Sequence, residues 1–347
     1  MNQISTIGLD LAKHVFQVHG ADEDGSPLFS RRLRRGEVLH FFSKQSRCLV
    51  GIEACGSAHY WAREIAKFGH DVRLIPPTYV KPFVKRSKTD AADAEAISEA
   101  VTRKTMRFVP VKTAEQQAEA MVLKSRSLLV KQRTQVVNAL RSHLGELGII
   151  DAAGMEKVDT LMAVVRDFTD VRLPAAARFA LTAIADQINA LAGQIDQLDR
   201  AIVAEAKTDG DMRRLTTIPG VGAITAATVK ALVPDPGGFK SARHFAAWLG
   251  LTPRQFSSGG KERIGRISKM GNPELRCLLV LGATAVLRGA RKNERAQPWL
   301  RALLTRRPFK VAAVALANKI ARIVWALLNK SGVYQRPEAS ETAAVAC

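Results

Sequence analysis

The first hundred residues alternate short apolar runs with turn-forming segments. Alternation with a period of two predicts strands, longer apolar stripes with a period near 3.6 predict helices, and Gly, Pro and Asp clusters mark the turns between them. The predicted elements are strands at residues 4–9, 14–19 and 28–33, a helix at 36–46, a strand at 48–52, a helix at 58–68 and a strand at 72–75. This gives the order βββαβαβ.

A further helix is predicted after this region. Two prolines end the last strand, and a basic loop with Lys81 and Lys85 follows them. The next helix is predicted to begin near Thr89, whose hydroxyl can cap the first turn.

The middle of the chain has the pattern of long helices. Apolar residues from Leu181 to Ile202 recur at alternating spacings of three and four, which is typical of a coiled-coil seam. A second amphipathic stretch covers residues 115–147 and can pair antiparallel with the first. The pattern leaves two alternatives open, a helical hairpin within one chain and an arm that joins two chains.

A glycine-containing turn follows the middle region. Residues 218–222 read Ile-Pro-Gly-Val-Gly and precede an apolar helix at residues 223–232. The turn is similar to that of a helix-hairpin-helix, in which Gly220 and Gly222 would let backbone N–H groups approach a phosphate. A simple turn between packed helices is the alternative.

The chain is strongly basic, and its charge is concentrated. Its formal net charge is +20, and residues 251–310 contain fourteen Lys and Arg against three acidic residues. This charge predicts binding to nucleic acid phosphates, with the main contacts in that window. No signal peptide and no apolar run of about 18 residues is evident, so we expect a cytoplasmic protein without a membrane partner. The four scattered cysteines suggest neither zinc nor disulfides.

Four carboxylates occupy places where a phosphoryl-transfer site would need them. Asp10 and Glu53 end predicted strands, and Asp90 and Asp93 lie three apart on one face of the predicted helix. Hard oxygen ligands suit Mg²⁺, and two such ions about 4 Å apart can activate a nucleophile and stabilise a leaving oxygen. Taken singly, each residue also has a structural explanation, as a polar strand end or a helix-dipole partner.

A loop rich in Gly, Ser and cations forms the second candidate site. Ser257 and Ser258 precede two glycines, and the residues predicted to contact phosphates surround them: Arg254, Lys261, Arg263, Arg266 and Lys269. A serine hydroxyl among cations can attack a phosphodiester. Such a loop can equally serve only as a flexible phosphate contact, and the residues alone do not decide between these alternatives.

The fold class that follows is α/β plus α. We divide the chain into an α/β domain at residues 1–110 that carries the acidic tetrad, a coiled-coil helical region at 111–208, a mainly helical domain at 209–334 that carries the serine loop, and a flexible tail at 335–347. The element order of the first domain resembles that of ribonuclease H-like domains.

Several motifs together resemble one family. They read Gly-Leu-Asp-Leu-Ala-Lys, Gly-Ile-Glu-Ala-Cys-Gly-Ser, Lys-Thr-Asp-Ala-Ala-Asp-Ala, Ile-Pro-Gly-Val-Gly, Gly-Leu-Thr-Pro-Arg-Gln-Phe-Ser-Ser-Gly-Gly-Lys and Arg-Ile-Ser-Lys-Met-Gly-Asn, in chain order. In this order the motifs resemble those of the DEDD insertion-sequence transposases of the IS110 family, which include Piv-like DNA invertases. The serine segment is similar to the subgroup with subterminal inverted repeats.

The resemblance implies a site and partners. It implies a RuvC-like domain whose acidic tetrad falls on Asp10, Glu53, Asp90 and Asp93 and binds Mg²⁺, in two ions that Mn²⁺ can replace. The family's serine nucleophile falls on Ser258, with Ser257 at a variable position. The implied partners are the DNA of the element ends and target, a structured guide RNA, and further copies of the chain in a dimer or tetramer. The implied setting is the nucleoid of a bacterium.

Two other functions compete with DNA transposition. A metal-dependent junction-resolving nuclease would use the tetrad to activate water, with Ser258 only binding phosphate. A nucleic-acid packaging protein would explain the charge but not the four carboxylates. No Gly-x-x-x-x-Gly-Lys-Ser/Thr loop is present, in agreement with a recombinase that conserves bond energy in a phosphoserine link.

Overall fold

The computed structural model describes residues 3–85, 89–292, 297–330 and 332–335. The chain divides into two compact units, Met1–Ala118 and Glu119–Cys347. The three-part division and its boundaries stay predictions, and all but the first residue of the predicted tail lies outside the described residues.

A five-stranded mixed sheet forms the core of the first unit. Its elements are β1 (Thr6–Asp10), β2 (Val15–Ala21), β3 (Pro27–Arg34), α1 (Val38–Ser43), β4 (Leu49–Glu53), α2 (Ala58–Ala66), β5 (Asp71–Ile75), α3 (Pro77–Val80) and α4 (Asp90–Val101). The strand order is β3-β2-β1-β4-β5, with β1 parallel to β4 and antiparallel to β2. The predicted βββαβαβ order and the α/β class are therefore confirmed.

The two faces of this sheet are covered by different helices. Ile7, Leu9 and Phe16 are fully buried in a cluster that includes side chains of α1 and α2. Helix α4 packs on the opposite face, where Gly8 and Gly51 provide the space for it. The helix predicted at residues 36–46 is shorter than expected, because a 3₁₀ turn at Arg35–Glu37 precedes α1 and Lys44 ends it.

The second unit is mainly helical. It contains most of α5 (Ala114–Glu146) and the following elements: α6 (Val158–Arg166), α7 (Ala175–Thr208), α8 (Gly210–Thr216), α9 (Ala223–Leu232), α10 (Ala242–Trp248), β6 (Pro253–Gln255), β7 (Ile264–Ile267), α11 (Pro273–Lys292), α12 (Pro298–Arg306) and α13 (Phe309–Asn329). Helices α8 to α13 share one core with the ends of α5 and α7.

The predicted seam of α7 packs against α5 of the same chain. Leu181 and Ile188 share a buried cluster with Leu140, and near the other end of the pair the Arg126 guanidinium donates to the Asp199 carboxylate. These contacts run antiparallel, as in the helical hairpin that was one of the two alternatives. Knobs-into-holes packing and an arm that joins two chains stay predictions.

Among the residues that the structure describes, one helix is long and apolar enough, by length and composition, to cross a membrane. It is α13, whose charged residues include Lys310, Lys319 and Arg322. These charged residues interrupt the apolar sequence, so the expectation that no unbroken apolar run of about 18 residues exists still holds. A core helix meets the same test, and one face of α13, including Leu316 and Ile320, is buried in the core of the second unit.

Two glycines bring the Ile-Pro-Gly-Val-Gly turn against α11. Gly220 has φ +87°, and a Cβ built on Gly282 would lie 1.9 Å from the Gly220 carbonyl oxygen. Gly220 thus has a packing role between helices, which is the structural alternative stated for this turn. Gly222 is the N-cap residue of α9, and a Cβ there would meet nothing within 4 Å. Phosphate binding by either glycine stays a prediction.

We expect Gly282→Ala to destabilise the protein, because the added methyl group overlaps backbone that cannot rotate away. The expected loss is about 1–3 kcal/mol in the free energy of unfolding. Gly289→Ala is the matched control on the same helix, since a Cβ there meets nothing within 4 Å, and it should stabilise α11 by up to about 1 kcal/mol. Thermal or urea unfolding of both variants tests this, and equal effects would contradict it.

Candidate active site

Two of the four predicted carboxylates end adjacent parallel strands. Asp10 is the last residue of β1 and Glu53 the last of β4. Leu9 pairs with Ile52 in the parallel register, so the acidic residues that follow them leave the sheet side by side. The carboxyl ends of parallel strands are a common location for sites in α/β folds. Both side chains are half-buried.

The other two carboxylates lie in the first turn of α4. The Thr89 hydroxyl accepts a hydrogen bond from the Ala92 N–H at 3.2 Å, which confirms the predicted N-cap. Helix α4 lies very close to β1. A Cβ built on Gly8 would lie only 2.1 Å from the Ala94 carbonyl oxygen. This close packing brings the first turn of α4, with Asp90 and Asp93, to the end of β1.

The pKa of Asp10 reports the crowding of negative charge. Burial raises this pKa first, and the carboxylates of Asp93, Asp90 and Glu53 raise it further, to about 6. The backbone N–H of Leu11 is the group that lowers it. The other three predicted residues therefore lie close enough to Asp10 to act on it electrostatically, and we call the four the acidic cluster.

The cluster meets the chemical requirement for a divalent cation but is not a formed coordination shell. Carboxylate oxygens are suitable donors for Mg²⁺, and a cation would relieve the repulsion that raises the pKa of Asp10. Within the described part of the chain, however, no three acidic, His or Cys side chains are gathered as ligands of one ion.

The serine loop is the tip of a β-hairpin in the second unit. Strands β6 and β7 are antiparallel, and the hairpin continues with a bridge between Ser258 and Lys261. Gly259 and Gly260 between them both have positive φ, +56° and +77°, as a type I′ turn requires. Both candidate serines are exposed at this tip. Its two glycines define the turn. A serine nucleophile and a flexible loop that only contacts phosphates both stay predictions.

The base of the hairpin is fixed by contacts that the sequence did not reveal. Arg276 of α11 donates from Nη1 to the carbonyl oxygens of Leu249 and Met270, at 3.0 and 2.8 Å. Arg254, predicted to bind nucleic acid, donates from Nη2 to the Ser268 carbonyl oxygen at 3.0 Å. Because the acceptors are backbone carbonyls, no side-chain motif marks Arg276 in the sequence.

The remaining predicted phosphate contacts surround this hairpin. Lys261, Arg263, Arg266 and Lys269 are all exposed. Lys269 has a left-handed backbone, with φ +55°, which is rare for a residue with a side chain. The four cations are therefore accessible to a polyanion, although their binding to nucleic acid stays a prediction.

Both sites lie in regions that match known protein families. Residues 7–149, which include the four carboxylates, match a DEDD transposase family of the IS110 type, described as a transposase. Residues 212–298, which include the serine hairpin, match the transposase IS116/IS110/IS902 family. The chain belongs to the IS110/IS116/IS902 transposase family. It is accordingly an enzyme of DNA cleavage and rejoining.

Full-length relatives agree with this membership. A probable family 20 transposase of Pseudomonas aeruginosa is 49% identical over 96% of this chain and 99% of its own length. The transposase for insertion sequence element IS1111A of Coxiella burnetii is 40% identical over 96% of this chain and 92% of its own. A pilin gene-inverting protein of Moraxella lacunata is 24% identical over 81% of this chain and 82% of its own. The predicted family and the likeness to Piv-like invertases are thus confirmed.

Asp10→Asn should stabilise this transposase when divalent cations are chelated. The raised pKa means that folding favours the protonated form, so ionised Asp10 costs stability above pH 6 and nothing well below pH 4. We expect Asn to raise the free energy of unfolding by about 1–3 kcal/mol at pH 7.5, and the gain to vanish as the pH falls through 6 towards 4.

The measurement is thermal unfolding in EDTA across this pH range. Asp24→Asn in the exposed turn between β2 and β3 removes the same charge away from the cluster and should have little effect. Destabilisation by Asp10→Asn at pH 7.5, or a gain that persists at pH 4, would contradict the electrostatic cluster.

Proposed function

We propose that this transposase excises and inserts its own element by metal-dependent cleavage at the acidic cluster, with Ser258 as the nucleophile. The observation that carries the proposal is the raised pKa of Asp10, which three further carboxylates increase although they come from another strand and a separate helix. The chain has a net charge of +20, yet it gathers negative charge at this one place. Repulsion between these carboxylates lowers stability, and a bound cation would offset it. The first unit would then be a RuvC-like, ribonuclease H-like domain.

Asp10, Glu53, Asp90 and Asp93 would hold the metal. When bound, Mg²⁺ would lower the charge on a phosphodiester and stabilise the leaving oxygen, and Mn²⁺ could replace it. Without the ion, the carboxylates would still place several oxygen donors near the ends of β1 and β4. The Thr89 cap would hold the first turn of α4, and with it two of the four ligands.

Ser258 would form a transient covalent link to DNA. Its Oγ would bond to phosphorus while the bond from phosphorus to the neighbouring sugar oxygen breaks. The serine hydroxyl loses a proton and the released sugar oxygen gains one, so the step needs neither ATP nor a net change in protons. The step would then run in reverse. The sugar hydroxyl of another strand end would attack the phosphoserine, release Ser258 and rejoin the DNA. The exposed tip of the hairpin and the hydrogen bonds at its base favour this role, since a nucleophile must be both accessible and positioned.

Two further parts of the proposal rest on the family resemblance and the charge. A structured guide RNA would pair with the element and target DNA, and its phosphates would bind the basic residues around the hairpin. Several copies of the chain would assemble as a dimer or tetramer that combines the acidic cluster of one subunit with the serine hairpin of another. The setting would be the bacterial nucleoid.

Ser258→Ala should eliminate a protein–DNA adduct that survives denaturation, and should block strand exchange, because it removes the attacking oxygen. Ser257→Ala is the matched control at the preceding exposed position and should keep most of the activity. The measurement is a denaturing gel of full-length protein incubated with labelled element ends, Mg²⁺ and co-expressed RNA. Recombination without any adduct would favour the alternative, a nuclease that activates water. An adduct on Ser257 would refute the assignment to Ser258.

A further inference from the structure

A row of polar side chains crosses the sheet from the acidic cluster to its edge. Asp10 pairs with Gln17 of β2, and Gln17 pairs with Arg32 of β3. Directly paired residues on neighbouring strands project from the same face of a sheet. Arg32 therefore lies on the same face as Asp10, two strands away, on the edge strand of the sheet.

The burial pattern supports this assignment of faces. Leu33, the residue after Arg32, is buried in the cluster on the opposite face. Alternation then places Arg32 and Arg34 on the face of Asp10. Arg31 belongs to the other face, where its guanidinium lies 5.9 Å from the centre of the Phe41 ring.

The charges of Arg32 and Arg34 face solvent. Both side chains are exposed, and neither takes part in a salt bridge within the described part of the chain. The nearby Glu37 carboxylate accepts from the backbone N–H of Arg34 at 2.7 Å. The two guanidinium groups are thus available to an anion that arrives from outside.

The spacing suits a nucleic-acid strand. Neighbouring strands of a sheet lie about 4.8 Å apart, so the backbones of Asp10 and Arg32 are separated by about 10 Å. One strand of a DNA duplex carries a phosphate about every 3.4 Å along the helix axis. The path along the strand winds around that axis, so successive phosphates are further apart than this rise. A strand with one phosphate at the acidic cluster would therefore bring a phosphate about one or two nucleotides away to Arg32 and Arg34.

We propose that Arg32 and Arg34 bind the phosphodiester backbone of the DNA strand that is cleaved, about one or two nucleotides from the broken bond. The inference rests on the proposed function for the position of that bond. Guanidinium groups bind phosphate with two parallel hydrogen bonds, and here their positive charge offsets the repulsion between the acidic cluster and DNA. The two arginines are binding and positioning residues rather than catalytic ones.

The first test measures how the affinity of the full-length protein for an element-end duplex depends on salt, in EDTA so that no cleavage occurs. Log K falls as log salt rises, and each lost phosphate contact makes this negative slope shallower by about one. We expect Arg32→Gln to make it shallower by about one and Arg32→Gln with Arg34→Gln by about two. Lys at both positions should restore most of the wild-type slope.

Arg31→Gln is the matched control, because it removes the same charge from the adjacent position but on the other face. It should leave the slope unchanged. Equal losses for Arg31→Gln and Arg32→Gln would overturn the proposal, since they would indicate a general effect of charge. A loss of affinity for RNA with no change for the DNA duplex would also overturn it and would favour RNA as the ligand.

The second test locates the contact along the DNA. Single phosphates of the element-end duplex are replaced in turn by uncharged methylphosphonate. We expect one such replacement, about one or two nucleotides from the cleaved bond, to weaken binding to the wild-type protein but not to the Arg32→Gln, Arg34→Gln protein. If every replacement weakens both proteins equally, the arginines contact none of these phosphates.

This design separates the contact from the proposed catalytic role of the acidic cluster. Asp10→Ala should abolish cleavage and leave the methylphosphonate pattern in place. Cleavage by Asp10→Ala, with the pattern unchanged, would refute the catalytic assignment and the position of the strand relative to Asp10, while the phosphate contact itself would stand.

Discussion

The close packing of α4 on β1 is the constraint on which the acidic cluster depends. Gly8 and Gly51 present no side chain to the helix, and a Cβ at either position would come within 3 Å of it. Larger residues would lift α4 from the sheet and separate Asp90 and Asp93 from Asp10. Two glycines in the sheet thus allow the packing that brings the four carboxylates together.

Much of the first unit could be predicted from its sequence. The period-two alternation gives its strands, and Asp10 and Glu53 stand out because each polar residue directly follows an apolar run. The three-residue spacing of Asp90 and Asp93 gives a shared helix face, and Thr89 marks the start of that helix. These are local signals, and the structure confirms the elements that carry them.

Features that depend on contacts between distant segments could not be predicted. Arg276 fixes the serine hairpin through backbone carbonyls of Leu249 and Met270, which no residue type reveals. The likeness of the Ile-Pro-Gly-Val-Gly turn to a DNA-binding hairpin gave no indication that Gly220 would contact Gly282, because a close backbone approach leaves no pattern at either position. The relation of Arg32 to Asp10 required the register of two strand pairs. Each strand was predictable, but the register was not.

If residues from three separate segments form one divalent-cation site, cleavage of the backbone by bound Fe²⁺ should locate all three. Fe²⁺ placed in the site in exchange for Mg²⁺ generates short-lived hydroxyl radicals with ascorbate and peroxide, which cut the backbone close to the bound ion. We predict cuts near Asp10, near Glu53 and near Asp90 to Asp93, all suppressed by excess Mg²⁺ and lost together in Asp10→Ala. Cuts confined to one of these segments, or cuts that Asp10→Ala leaves unchanged, would contradict this prediction.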